Sequence, residues 1–226
     1  LERRFDPGDR RRWNRGDDRE SRALYLPRMS LSTRTSWIFD LDGTLTVAAH
    51  DFDEIARILG VEPGTPILEN LRAMEPARAK PLWDKLHAWE LEVAARSRPA
   101  PHARELLEDL AARGHSFGIL TRNAWENVDV TLRAAGLLEF FPRDVVVTRD
   151  DAAFKPSPDG IHRLLDRFAA KPEHGVMVGD FIYDLKAGKA ARVLTVHYDV
   201  SGAFEWKDHA DLHVRCHSEL RARLTP

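Results

Sequence analysis

Trp37-Ile38-Phe39-Asp40-Leu41-Asp42-Gly43-Thr44-Leu45 opens on three apolar residues, runs into two aspartates and turns at a glycine. A short apolar run without polar alternation is the pattern of a strand buried on both faces, as in a parallel sheet covered by helices. Its carboxyl end carries Asp40 and Asp42, and in open α/β sheets that is the end where ligands bind.

Four further runs read as strands of the same kind: Ser116–Thr121, Asp144–Thr148, Gly175–Asp180 and Arg192–His197. Helical periodicity lies between them. His102–Arg113 carries Leu106, Leu107, Leu110 and Ala111, and Gly114 follows as a stop. Asn123–Ala135 ends the same way before Gly136, and Pro158–Ala169 and Tyr183–Ala191 complete the alternation. Strands alternating with helices at this spacing predict an α/β fold, a Rossmann-like doubly wound parallel sheet. Residues 47–98 break the rhythm, with no strand and three helical patterns, Asp51–Leu59, Pro66–Met74 and Lys80–Arg96, separated by Gly60, Pro63, Gly64 and Pro76. The expected organisation is an N-terminal tail (1–34), an α/β core (35–46 and 99–226) and a helical insertion after the first strand (47–98). Val47–Ala49 and Arg98–Pro101 are the expected hinges.

Composition narrows the function classes. The 34 Lys and Arg against 36 Asp and Glu leave a net charge of -2, which gives no reason to expect nucleic acid or an acidic membrane as partner. No apolar run approaches the ~18 residues of a membrane span. The single cysteine, Cys216, excludes an intrachain disulfide and fits a reducing, cytoplasmic compartment; it reads as a structural or exposed thiol. Leu1–Arg28 is charged, with Arg10-Arg11-Arg12 beside Asp17-Asp18 and no apolar period, so disorder is expected there, with Met29 as one reading of the true start.

The strand ends hold the chemistry. Asp40 and Asp42 end the first strand, Thr121 the second, and Asp180 the fourth, with Asp184 four residues on; Lys155 follows the third. Carboxylates gathered on one rim repel one another unless a cation lies between them. Mg²⁺ takes hard oxygen ligands and bridges to phosphate, while Lys155 and the Thr121 hydroxyl suit phosphoryl oxygens.

Asp40-Leu-Asp-Gly-Thr-Leu45, Ile119-Leu-Thr-Arg-Asn123, Lys155-Pro-Ser-Pro158 and Gly179-Asp-Phe-Ile-Tyr-Asp184 resemble, in order and spacing, the four motifs of the haloacid dehalogenase-like superfamily. The position of the insertion is similar to the small helical cap of its phosphoglycolate phosphatase-like branch. The resemblance implies that Asp40 attacks phosphorus and forms an aspartyl-phosphate, and that Asp42 protonates the leaving oxygen and then activates water. Thr121 and Lys155 would bind the phosphoryl group, with Gly43 and Thr44 turning backbone amides toward it. Asp40, Asp180 and the Asp42 main-chain carbonyl would hold Mg²⁺; Asp184 would act on the metal through water or position Lys155. Arg122 and Asn123 are candidates to reach the substrate. The acid at Asp42 favours phosphate esters over halides, because an ester oxygen leaves better with a proton. Mg²⁺-dependent hydrolysis of a small phosphorylated metabolite is the leading expectation. A phosphomutase resembling β-phosphoglucomutase needs the same motifs, and a binding protein on a retained scaffold is the third reading. The insertion is short for the branch, which suggests an open site that admits larger substrates. Trp83 and Trp89 read as packing residues, and His87 has no metal-ligand spacing.

Overall fold

The computed structural model describes residues 31–48, 51–62, 64 and 66–224. The expectations for Leu1–Arg28, Met29 and Ala49 lie outside them.

Six parallel strands form one sheet: β1 (Ser36–Phe39), β2 (Ser116–Leu120), β3 (Val146–Val147), β4 (Gly175–Gly179), β5 (Leu194–Tyr198) and β6 (Leu212–Val214). Their order is β3-β2-β1-β4-β5-β6. Register pairs Ile38 with Gly118 on one side and with Met177 on the other. Trp37 and Phe39 enter the apolar layer of Leu106, Leu110 and Leu132, while Ile38 enters the opposite layer with Leu164, Leu165 and Met177. Successive strand residues face opposite sides. Both faces of β1 are covered, so Trp37, Ile38 and Phe39 are apolar without alternation. Each fully buried large side chain of this kind contributes about 2 kcal/mol.

The crossover helices are α4 (Ala103–Ala112), α5 (Trp125–Ala134), α6 (Asp159–Arg167) and α7 (Ile182–Ala190), preceded by α1 (Phe52–Leu59), α2 (Ile67–Ala73) and α3 (Pro76–Ala94) and followed by α8 (His217–Ala222). Helices α1–α3 bury their own apolar cluster of Ile55, Leu59, Leu71, Leu86, Trp89 and Val93. The two chain crossings into this insertion are stitched together: Val47 N–H donates to Arg98 O (3.0 Å) and Ala100 N–H to Leu45 O (2.9 Å).

Several boundaries differ from expectation. Leu31 is buried in the core and the Arg34 guanidinium donates to the Glu173 carbonyl, so residues 31–34 join the folded unit rather than the tail. Helix α3 begins at Pro76, not Lys80. Proline at the first helical position lacks only an N–H that would be orphaned anyway. Glu75 also caps the end, accepting from Arg78 N–H at 3.1 Å. Strand β3 is two residues rather than five, because 143–145 form a 3₁₀ turn and Arg143 folds back to the Val146 carbonyl (2.7 Å). Strand β5 begins at Leu194, two residues late, after Arg192 turns the chain at φ 60°. Neither β6 nor α8 was expected.

Candidate active site

Strand order reverses beside β1. The chain leaves β1 toward β2 and β3, then crosses back to lay β4 on the other side. A crevice opens at the carboxyl ends of the two strands flanking such a switch point. Asp40 is the first residue past β1, and its N–H still donates to Val178 O of β4 (2.9 Å). Asp180 is the first residue past β4, so adjacent strands deliver both carboxylates to one spot.

Lys155 arrives from the loop after β3 and is 3% exposed. Its ammonium lies 2.5 Å from Asp40 Oδ1 and 2.6 Å from Asp184 Oδ1. Asp40, Asp180 and Asp184 each place one carboxylate oxygen within 4.8 Å of the others. Thus three carboxylates face one ammonium, an excess of two negative charges when all three are ionised. Burial, then the charges of Asp40 and Asp184, push Asp180 above the usual carboxylate range. Burial likewise pushes Asp184 up, against the pull of Lys155. Desolvation works against the Lys155 ammonium, yet Asp184 and Asp40 outweigh it and raise its pKa. The deficit matches one divalent cation, and an all-oxygen donor set without histidine or thiolate suits Mg²⁺ better than zinc or copper.

The surrounding residues fix this geometry. Gly43 has φ 82°, and a Cβ there would come within 2.2 Å of Asp180 Oδ2. Glycine is therefore required both by conformation and by the closeness of the carboxylate. At Gly179 only closeness requires glycine: the Asp184 Cβ lies 2.3 Å from where a side chain would start. Asp184 also accepts from Phe181 N–H (3.1 Å), closing the first turn of α7. The Thr44 hydroxyl sits 3.5 Å from Asp180 Oδ1.

On the opposite side, Asn123 Nδ2 donates to Asp42 Oδ2 (2.6 Å), and Asn123 N–H donates to the Thr121 hydroxyl (3.1 Å). The Thr121 loop thereby holds the Asp42 side chain. Arg122 turns instead toward the insertion and pairs with Glu69 of α2 at 2.5 Å.

These residues share a cavity of about 420 Å³. Asp40, Asp42, Thr121, Arg122, Asn123, Lys155, Asp180 and Asp184 all line it. The insertion supplies most of the remaining wall, including Ile55, Ile67, Leu68, Leu86 and Trp89, and Phe181 and Tyr183 of the core complete it. Trp89 thus packs, as expected, but also borders the cavity. Trp83 packs at the cluster edge, and His87 meets Glu126 of α5 at 2.7 Å. Sequence reading missed Gly179, Glu69 and the aliphatic wall. A glycine directly before a strand-end aspartate was the available signal for the first; the others depend on how the insertion folds back.

Comparison with known proteins agrees with this layout. The sequence profile of haloacid dehalogenase-like hydrolases matches residues 37–192. Pyrophosphatase PpaX of Oceanobacillus iheyensis is 28% identical over 180 residues, 73% of this chain and 83% of that protein. Among solved structures, a hydrolase from Pseudomonas syringae superposes with a TM-score of 0.71 at 23% identity, over 84% of this chain and 98% of that one. A family hydrolase from Deinococcus radiodurans, with bound phosphate and sodium, gives 0.66 at 22% identity, over 86% and 99%. At these identities the structural likeness is one of fold.

Proposed function

The chain belongs to the haloacid dehalogenase-like hydrolases, and from that premise we propose that it is a Mg²⁺-dependent phosphatase of a small phosphorylated metabolite, working through an aspartyl-phosphate on Asp40. The observation that carries this reading is the convergence of Asp40, Asp180, Asp184 and Lys155 across the β1/β4 crevice. The name of the Oceanobacillus relative, a pyrophosphatase, supports hydrolysis at phosphorus.

A carboxylate oxygen of Asp40 attacks phosphorus as the ester P–O bond breaks, and Asp42 gives its proton to the departing oxygen. Asp42 then takes a proton from water, the water oxygen bonds to phosphorus, and the acyl-phosphate P–O bond breaks to restore Asp40. Asn123 orients Asp42 for both transfers through its 2.6 Å hydrogen bond. Lys155 screens the charge gathering on the phosphoryl oxygens, with the Thr121 hydroxyl and the Gly43–Thr44 amides as further donors. Mg²⁺ held by Asp40, Asp180 and the Asp42 carbonyl would supply the missing positive charge and orient the phosphoryl group. Asp184 keeps Lys155 in place. The 47–98 insertion serves as a cap that excludes water from the cavity over the 35–46 and 99–226 core.

The test is phosphate release from an aryl phosphate with Mg²⁺ or with EDTA. We expect release only with the metal, and a loss of at least roughly three orders of magnitude in Asp40→Asn. Full activity in that variant would remove the nucleophile.

A further inference from the structure

The cavity has two chemically different ends. At the core end the carboxylates and Lys155 cluster. At the insertion end Ile55, Ile67, Leu68, Leu86 and Trp89 form the wall, with Pro66 beside them. The indole N–H of Trp89 donates to Glu54 (3.2 Å).

The charges that do border this end are negative or already engaged. Asp53, Glu69 and Glu90 all line the cavity, Glu69 paired with Arg122 and Glu90 with Arg149. Lys155 and Arg122 are its only cations among the described lining residues. Lys155 is held between Asp40 and Asp184. Arg122 is held by Glu69, and its guanidinium lies 4.9 Å from the Tyr183 ring and 5.5 Å from that of Phe154. A second anionic group on a substrate would therefore meet aliphatic side chains and carboxylates. An uncharged hydrocarbon would meet a surface that gains from leaving water.

We infer that this enzyme takes phosphate monoesters whose leaving group is uncharged and largely apolar, an alkyl or aryl alcohol, and discriminates against esters carrying a second anion. The inference rests on the phosphatase reading and names the substrate class of that same cavity. Arg122 is its gate: Glu69 neutralises the one cation that would otherwise welcome a carboxylate or second phosphate.

Three probes with Mg²⁺ present test it: n-hexyl phosphate, ethyl phosphate and phosphoglycolate, with pyrophosphate as a fourth. Each methylene moved from water to the wall is worth about 4-fold. Hexyl phosphate is expected to exceed ethyl phosphate in kcat/KM on the order of 100-fold, with phosphoglycolate and pyrophosphate below both. Glu69→Gln, at an exposed position, leaves the fold intact and frees Arg122; the phosphoglycolate-to-hexyl ratio should rise roughly 10-fold. Equal or better turnover of phosphoglycolate or pyrophosphate than of hexyl phosphate would overturn the inference, as would an unmoved ratio in Glu69→Gln. Release from none of the four would instead remove the phosphatase reading. Calorimetric binding to Asp40→Asn then still decides: tighter hexyl phosphate supports the apolar subsite, and tighter or equal phosphoglycolate overturns it.

Discussion

Two buried charged clusters, one around Glu90 and one around Lys155, are built on opposite principles. In one, Glu90 of α3 receives a two-pronged pair from Arg149, at 2.8 and 3.0 Å, and a third hydrogen bond from Asn127 Nδ2 at 2.7 Å. One carboxylate meets one guanidinium, and Arg149 also lies 5.4 Å from the Trp83 ring. In the other, three carboxylates meet one ammonium. The balanced cluster joins the insertion to the core and puts Glu90 at the cavity wall; the unbalanced one gathers at the core end of the same cavity. Burying charge is costly unless it is matched. A matched cluster therefore serves structure, and a standing deficit marks a place prepared for a ligand of the missing sign.

The comparison breaks most sharply at Arg149. Arg149→Met strands the Glu90 carboxylate, which is 7% exposed. Removing one partner of a buried pair costs about 3–5 kcal/mol. The variant should lose that much in chemical denaturation, and its insertion should become more open to proteolysis. The double variant Glu90→Leu/Arg149→Met should recover most of the loss, because no unpaired charge is left. A single variant as stable as the parent would mean that water already satisfies Glu90.

Sequence carried the two clusters unequally. Asp40, Asp42 and Asp180 are legible because each stands at the end of a short apolar run, and Asp184 because it follows Asp180 by four residues, so local pattern places them on one rim. Lys155 is placed by the loop that follows the third run. Glu90 and Arg149 are ordinary charged residues 59 positions apart, and nothing local distinguishes them from a solvated helix face and a loop. Arg122 illustrates the same limit: its position beside Thr121 was visible, but its pairing with Glu69 depends on where α2 comes to rest. In the fold, β6 escaped because Leu212-His213-Val214 is too short to show a period. The start of α3 is hidden in the sequence because Pro76 reads as a break, although the same residue opens a helix well when Glu75 precedes it.

Acid sharpens the contrast from beneath the active site. His217 of α8 donates from Nε2 to the Thr44 carbonyl (2.8 Å), stacks on Tyr198 at 4.6 Å and meets Phe39 edge-on. Its Nδ1 is buried without a hydrogen-bond partner, so a second proton would have no acceptor. Burial pushes its pKa from 6.5 down to about 4, against the pull of the Thr44 carbonyl and with a further push from His102. The unfolded chain takes up the proton first as pH falls. Stability from this residue is therefore whole above pH 6.5 and drains away down to about pH 4, by roughly 3 kcal/mol. Denaturant midpoints measured across that window should fall in the parent and fall less in His217→Gln, which keeps a donor but does not titrate. Parallel profiles would remove His217 from the account and leave the acid response to the carboxylates.

The smallest expected effect is the most discriminating, because it concerns sign. Asp180→Asn keeps the shape of a side chain whose charged form is opposed by burial and by Asp40 and Asp184. In EDTA the substitution should raise stability, by about 1 kcal/mol, whereas neutralising Glu90 or Arg149 lowers it. Adding Mg²⁺ should raise the melting temperature of the parent, since a ligand that binds only the folded state stabilises it, and should raise that of Asp180→Asn much less. Thermal denaturation of both proteins, with and without the metal, reads all four values. A destabilised Asp180→Asn in EDTA would mean that the three carboxylates are already balanced without a cation, and the deficit on which the metal assignment stands would not exist.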